Sequence, residues 1–140
     1  MQHKGVIPQS PLADAKKLHE EGKYKKSAEM YEEAAGQALS LGHTRTAAGL
    51  YRAAAEEYTT RAIERGKGFS RAYGAYGLAI SYYDQSERKE SANECRIELA
   101  KLYETQKKYI EALGLYYEIG DQESARRMWR NSEIEEVQHE

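Results

Sequence analysis

The stretch Glu98–Ile119, ELAKLYETQKKYIEALGLYYEI, decides the fold. Its apolar and small residues form two groups on either side of the polar segment 104–108, namely Leu99, Ala100 and Tyr103, then Tyr109, Ala112, Tyr116 and Ile119. Within each group the residues recur at steps of three and four, which places their side chains on one face of an α-helix. The stretch therefore predicts two short antiparallel helices that bury these faces against each other.

Two more copies of this pattern precede it in the chain. Each second helix reads aromatic-x2-small-x3-Tyr-x2-apolar, and the tyrosine is Tyr31, Tyr76 and Tyr116 in turn, at offsets of 45 and 40 residues. The first helices align as well, at Ala15 and Leu18, Ala55 and Tyr58, and Ala100 and Tyr103. Repeats of this length predict an array of helical hairpins, in which each hairpin needs a neighbour to cover its apolar face.

The deciding stretch resembles a tetratricopeptide repeat, whose pattern is W-x2-L-G-x2-Y, then A-x3-F, then P. The matching residues are Leu99 and Ala100 at the L-G pair, Tyr103 at the tyrosine, and Ala112 and Tyr116 at the A-x3-F step. Arg96 replaces the tryptophan and Ser124 replaces the proline, whereas Tyr51 occupies the tryptophan position of the second copy. The resemblance implies an all-α fold, a right-handed superhelix of three hairpins closed by a C-terminal capping helix.

The repeats are longer than the usual 34 residues of that family. Longer hairpins of this kind are similar to the soluble attachment proteins of membrane fusion, which are tetratricopeptide-like adaptors. This similarity implies a non-catalytic adaptor that binds another protein, as a peptide or helix, on its concave groove or on an end face. A homodimer formed through exposed end faces is a further candidate assembly.

Turn and cap residues predict where the helices begin and end. Helices are expected at about 11–21, 23–41, 44–65, 69–83, 87–104 and 108–119, with a seventh after Asp121. Ser10 and Asp121 are predicted N-caps, Ser86 is a candidate cap for helix five, and Gly22 and Gly120 are predicted turn residues. Residues 1–10 are expected to form a flexible arm, 11–131 the repeat domain, and 132–140 an acidic tail.

Net charge, cysteine content and hydropathy indicate which partners and which compartment to expect. The formal net charge of −2 gives no general attraction to nucleic acid, which is not the expected partner. The single Cys95 excludes an intramolecular disulfide and fits a reducing compartment, where a packed core thiol is expected. No apolar run approaches the roughly 20 residues of a membrane span, and a cytoplasmic location is expected.

No motif for catalysis stands out. The four histidines and Cys95 show no metal-ligand spacing, and the turn Gly66–Gly68 lacks the pattern of a phosphate-binding loop, so no metal, cofactor or catalytic residue is predicted. The acidic pairs Glu32-Glu33 and Glu56-Glu57 are expected to be solvated helix faces. An enzyme of unrecognised type is the third-ranked function.

The strongest charge cluster is basic and brackets the long turn of the second copy. It consists of Arg61, Arg65, Lys67 and Arg71. A solvated turn is the simplest interpretation, and a surface for nucleic acid, an anionic surface or an acidic partner is the alternative function.

The resemblance also implies a partner-binding groove lined by polar residues of the first helices. Carried over by position, these residues are Lys16, His19, Arg52, Glu56, Lys101 and Glu104. Cations among them can hold a carboxylate by charge-assisted hydrogen bonds. The alternative is that they are simply exposed helix residues. Lys16, Glu56 and Lys101 stand where members that bind chaperone tails carry asparagine, so recognition of such tails is not expected.

Overall fold

A computed structural model describes residues 10–139, and the side chains of residues 10–136. The described chain contains seven α-helices and no β-strand, which confirms the all-α class. The helices are α1 (Pro11–Glu20), α2 (Tyr24–Ser40), α3 (Thr44–Arg65), α4 (Ser70–Gln85), α5 (Lys89–Thr105), α6 (Tyr109–Glu118) and α7 (Gln122–His139). We call α1, α3, α5 and α7 the first helices, and α2, α4 and α6 the second helices.

Short turns with a left-handed residue connect most of the helices. The middle residue of the turn has φ between 59° and 81° at Gly22, Gly42, Glu87, Lys107 and Gly120. Backbone hydrogen bonds from the turn then reach carbonyls in the last turn of the preceding helix. For example, the Lys23 N–H donates to the Leu18 carbonyl at 2.8 Å. This is the Schellman arrangement, which satisfies carbonyls that would otherwise lack a partner at the helix end.

Two of the predicted N-caps are confirmed. The Ala13 N–H donates to Ser10 Oγ at 3.1 Å, and the Ser124 N–H donates to an Asp121 carboxylate oxygen at the same distance. Hydrogen bonds from the side chain and backbone of Ser124 hold the pKa of Asp121 below its usual value, because they stabilise the ionised carboxylate. Ser86, in contrast, does not cap α5. It follows the end of α4, where its hydroxyl donates to the Tyr82 carbonyl.

The chain forms two compact units, and the first ends at Glu87. In this unit α2 packs against α1 and α3, and α3 packs against α4. Its fully buried positions are almost all alanine, including Ala28, Ala35, Ala47 and Ala54. Alanine lets helix backbones approach closely, and the rings of Tyr58 and Tyr76 are buried beside these alanines.

The second unit runs from Arg88 to the end of the described chain and contains α5, α6 and α7. Its core cluster combines alanine with larger side chains, namely Ala100, Ala112, Tyr116, Ala125 and Met128. Cys95 is also fully buried, as the sequence predicted for a packed thiol. Partly buried aromatic and aliphatic residues such as Tyr103 and Leu113 surround the cluster.

Two glycines inside α4 do not mark a close approach of a neighbouring helix, since a Cβ at Gly74 or Gly77 would meet nothing within 4 Å. On α7 only Ala125 and Met128 turn inward, and Trp129 is 53% exposed. α7 continues to His139, so the segment 132–139, which was predicted as an acidic tail, is helical.

Candidate functional site

Three tyrosine-centred bridges organise the polar side chains between helices. We use this term for a tyrosine of one helix that lies beside a contact between a carboxylate and a nitrogen-bearing side chain of its two flanking helices. In the first bridge, His19 Nδ1 of α1 lies 2.9 Å from both carboxylate oxygens of Glu57 on α3. Tyr31 of α2 is the tyrosine, and its pKa is raised by burial and by the charges of Glu57 and Glu56.

The second bridge links α2 to α4 across α3. Tyr58 Oη of α3 donates to Glu32 at 2.6 Å, and the Arg71 guanidinium of α4 lies 5.8 Å from the centre of the Tyr58 ring. Arg71 also contacts Glu29 of α2 at 3.5 Å. Burial raises the pKa of Tyr58 to about 12, and the bond to Glu32 acts in the same direction while Arg71 opposes it.

The third bridge links α5 to α7 across α6, within the second unit. Tyr116 Oη donates to Glu104 at 3.1 Å, and the Arg127 guanidinium donates to the other oxygen of the same carboxylate. Burial and the bond to Glu104 raise the pKa of Tyr116, and Arg127 opposes the shift. Each bridge ties together two helices that are not consecutive in the chain, and so it fixes the surface that those helices present.

The structure divides the predicted groove residues into three groups. His19 and Glu104 belong to bridges and are therefore already engaged within the chain. Arg52 is half-buried and Glu56 is exposed, and both interact with other residues. Lys16 and Lys101 are exposed and have no ion-pair partner among the described side chains. The structure thus leaves these two lysines as the open charges of the predicted set, one in each unit.

The bridges also show what the sequence analysis missed. Glu57 was expected to be solvated, but it is only 7% exposed, and Glu32 holds the Tyr58 hydroxyl. Arg127 is not among the predicted groove or basic-cluster residues. The signal was present in the repeat, since Tyr31 and Tyr116 hold the same repeat position. The structure of the flanking helices was needed to show which charges lie beside each ring.

The four residues of the predicted basic cluster have different surroundings. Arg71 is committed to the second bridge, and Lys67 lies in the exposed turn. Arg61 and Arg65 instead meet a lysine-rich segment at the start of α2, across a cleft of about 410 Å³ that we call the basic cleft. Its charged lining residues are Lys23, Lys25, Lys26, Arg61, Glu64 and Arg65.

Neither a metal site nor a membrane span is found among the described residues. Within them, no group of three or more His, Cys, Asp or Glu residues is placed to hold a metal ion. None of the described helices is both long enough and apolar enough to cross a membrane. The surface clefts are open and shallow, and they are lined mainly by charged side chains and tyrosines.

Comparison with known families agrees with this architecture of helical hairpins. The model of the soluble NSF attachment protein family matches residues 9–135, which include six helices and most of the seventh. The chain belongs to the soluble NSF attachment protein family. Comparison with curated proteins and with solved structures finds no match.

Membership of the soluble NSF attachment protein family confirms the similarity inferred from the repeats. The family consists of helical-hairpin proteins, and membership indicates a non-catalytic adaptor that binds other proteins. The family model covers both units and all three bridges, so the bridges lie inside the part of the chain that the family shares.

Proposed function

We propose that this chain is an adaptor that binds a protein partner through the exposed faces of its first helices. The observation that carries the proposal is the family match over residues 9–135, since the family is named for attachment to NSF. Binding of this type needs a rigid surface, because ordering flexible side chains and loops on binding reduces affinity.

The bridges support the choice of the first helices. His19 to Glu57 ties α1 to α3, and Glu104 to Arg127 ties α5 to α7, so two pairs of first helices are held at fixed spacing. Charges used in this way are not available to a partner. The open lysines Lys16 and Lys101 lie on α1 and α5, where they can steer and hold an acidic surface.

Binding of purified NSF to the immobilised chain tests this proposal. We expect saturable binding by the wild type, and a several-fold loss of affinity for Lys16→Glu and for Lys101→Glu. The matched control is Lys108→Glu, which makes the same charge change at an exposed lysine in the turn before the second helix α6. Loss of the same size in the control, or no binding by the wild type, would contradict the proposal.

Self-association is the second candidate, and a specific surface favours it. Ile110 and Tyr117 lie on one face of α6, where they are 56% and 74% exposed. Exposed aromatic and aliphatic groups on one helix face are typical of a contact between proteins. Sedimentation equilibrium of the wild type and Tyr117→Ser tests this: a dimer that the substitution weakens supports it, and a monomer at all concentrations overturns it.

A further inference from the structure

The basic cleft is built from two segments that are distant in the sequence. They are the turn and first residues of α2 (22–26) and the last turn of α3 (61–65). Among the described residues, five cations line the cleft, and Glu64 supplies the one lining carboxylate. Only the α3 half forms a cluster in the sequence, because the α2 half lies beside it only in the folded chain.

Most of these five cations form no ion pair within the described chain. Lys23 contacts Glu21 at 3.4 Å and Lys25 contacts Glu29 at 3.9 Å, both near the surface. Exposed pairs of this kind contribute little and exchange readily with other partners. Lys26, Arg61 and Arg65 have no ion-pair partner among the described side chains. Cations gathered in a concave surface repel one another unless an anion compensates them.

The backbone adds a smaller contribution at the same place. α2 begins at Tyr24 without a side-chain cap, and its first turn contains no acidic residue. Among the described residues, no carboxylate or hydroxyl is bound to the first N–H groups of this helix, and these groups point out of the helix end. An anion at this position would gain from the positive end of the helix dipole.

We propose that the basic cleft binds a compact ligand that carries several phosphate groups. Arginine forks match phosphate oxygens, and lysines add point charges, so the lining suits phosphate. The cleft volume of about 410 Å³ is in the range of small-ligand sites. The charge is confined to one end of the first unit. An extended nucleic acid would instead need a stripe of cations along its backbone.

Phosphate clusters of this kind occur on free inositol polyphosphates and on phosphoinositide headgroups. The probe is therefore inositol hexakisphosphate, measured by calorimetry on the full chain in about 0.15 M salt, where long-range attraction is largely screened. We expect micromolar binding of one molecule per chain. Vesicles with and without a phosphoinositide distinguish the two sources, because vesicle binding that the free probe displaces indicates the headgroup.

The test variant is Lys26→Glu/Arg61→Glu, and the control Lys89→Glu/Arg130→Glu makes the same change of net charge in the other unit. We expect at least a tenfold loss of affinity in the test variant and less than a twofold loss in the control. Circular dichroism checks that both variants are folded. If the test variant unfolds, Lys26→Gln, at an exposed position, replaces it with an expected loss of several-fold.

Three results would overturn the proposal. One is the absence of probe binding at this salt concentration, and another is equal loss in the two double variants, which would indicate a non-specific charge effect. The third is tighter binding of an oligoglutamate peptide or of a random DNA duplex than of the probe. NSF binding by the Lys26→Glu/Arg61→Glu variant is measured in parallel, so that failure of the adaptor proposal and failure of this one can be told apart.

Discussion

The first and third bridges occupy matching places in the two units but carry their carboxylates on opposite sides. Around Tyr31 the carboxylate is Glu57 of the later first helix, and its partner is the imidazole of His19 on the earlier one. Around Tyr116 the carboxylate is Glu104 of the earlier helix, and its partner is the guanidinium of Arg127 on the later one. The repeat thus preserves an arrangement of one ring, one carboxylate and one nitrogen-bearing side chain, while the residue types at these positions change.

The fully buried positions of the two units differ. In the first unit they hold alanine and Ser27, whereas the second unit also buries Met128 and Cys95. Both units bury tyrosines to a similar degree, at Tyr58, Tyr76 and Tyr116. Enlarging a buried alanine should strain the core, and truncating a buried ring should leave a cavity.

Truncation in the second unit should have the largest effect. Tyr116 is 4% exposed and also donates to Glu104, so Tyr116→Ala removes buried ring area and a hydrogen bond together. We expect it to lower the free energy of unfolding by about 3–5 kcal/mol. Urea denaturation followed by circular dichroism measures this. The control is Tyr117→Ala at the neighbouring exposed ring, and equal stability of the two variants would contradict the core placement of Tyr116.

Enlargement should break the first unit. Ala35 is fully buried in a cluster with Ala38 and Ala47, so Ala35→Leu should cost about 1–3 kcal/mol through strain. The same change at the exposed Ala13 of α1 should be nearly neutral. Thermal unfolding of both variants compares them. A stabilised Ala35→Leu protein would mean that the alanine core contains unfilled space.

The second bridge predicts a loss of stability at high pH. Folding raises the pKa of Tyr58 from 10.0 to about 12, so the folded state keeps the proton over a range where the unfolded chain releases it. The contribution is fully present below pH 10 and is lost as the pH rises through about 12. We expect roughly 1–2 kcal/mol, because the bond to Glu32 is only partly buried and solvent screening reduces the effect.

The difference in free energy of unfolding between wild type and Tyr58→Phe isolates this contribution from the other groups that titrate in this range. The difference should be constant up to pH 10 and should shrink above it. Tyr117→Phe, which removes the hydroxyl of a ring that is 74% exposed, serves as the matched control. A difference that stays constant up to pH 12 would contradict the second bridge.

Replacing exposed glycines inside helices should give the smallest change in the free energy of unfolding, and this change should have the same sign in both units. A Cβ at Gly74 in α4 or at Gly114 in α6 would meet nothing within 4 Å. Alanine at either position should therefore raise the free energy of unfolding by up to about 1 kcal/mol, which is the difference in helix propensity. Gly120→Ala, at φ 81°, should destabilise instead. Thermal denaturation ranks the stability of the three variants. A loss of stability in Gly74→Ala would contradict the open surroundings of Gly74.

The fold could be predicted from the sequence because it depends on periodicity and turn residues. The repeated tyrosine and small residues predicted the paired helices, and Gly22 and Gly120 predicted turns that the structure shows. The caps at Ser10 and Asp121 followed from local chemistry, which needs no knowledge of the rest of the chain. Such features depend on residues only a few positions apart.

The polar contacts could not be predicted in the same way. Glu57 reaches His19 from 38 residues away, and Lys26 shares a cleft with Arg61 from a different helix. Which charges meet depends on helix length and rotation, since a shift of one residue turns a side chain by about 100°. Gly74 and Gly77 show the same limit, because a glycine in a helix is compatible with either a close neighbour or open solvent.

The proposed function requires that the first helices of each unit present the surface that a partner protein binds. Hydrogen–deuterium exchange of the chain, alone and with saturating NSF, tests it most directly. We predict slower exchange in peptides from α1, α3 and α5 and little change in those from α2, α4 and α6. Protection confined to the second helices would contradict the claim.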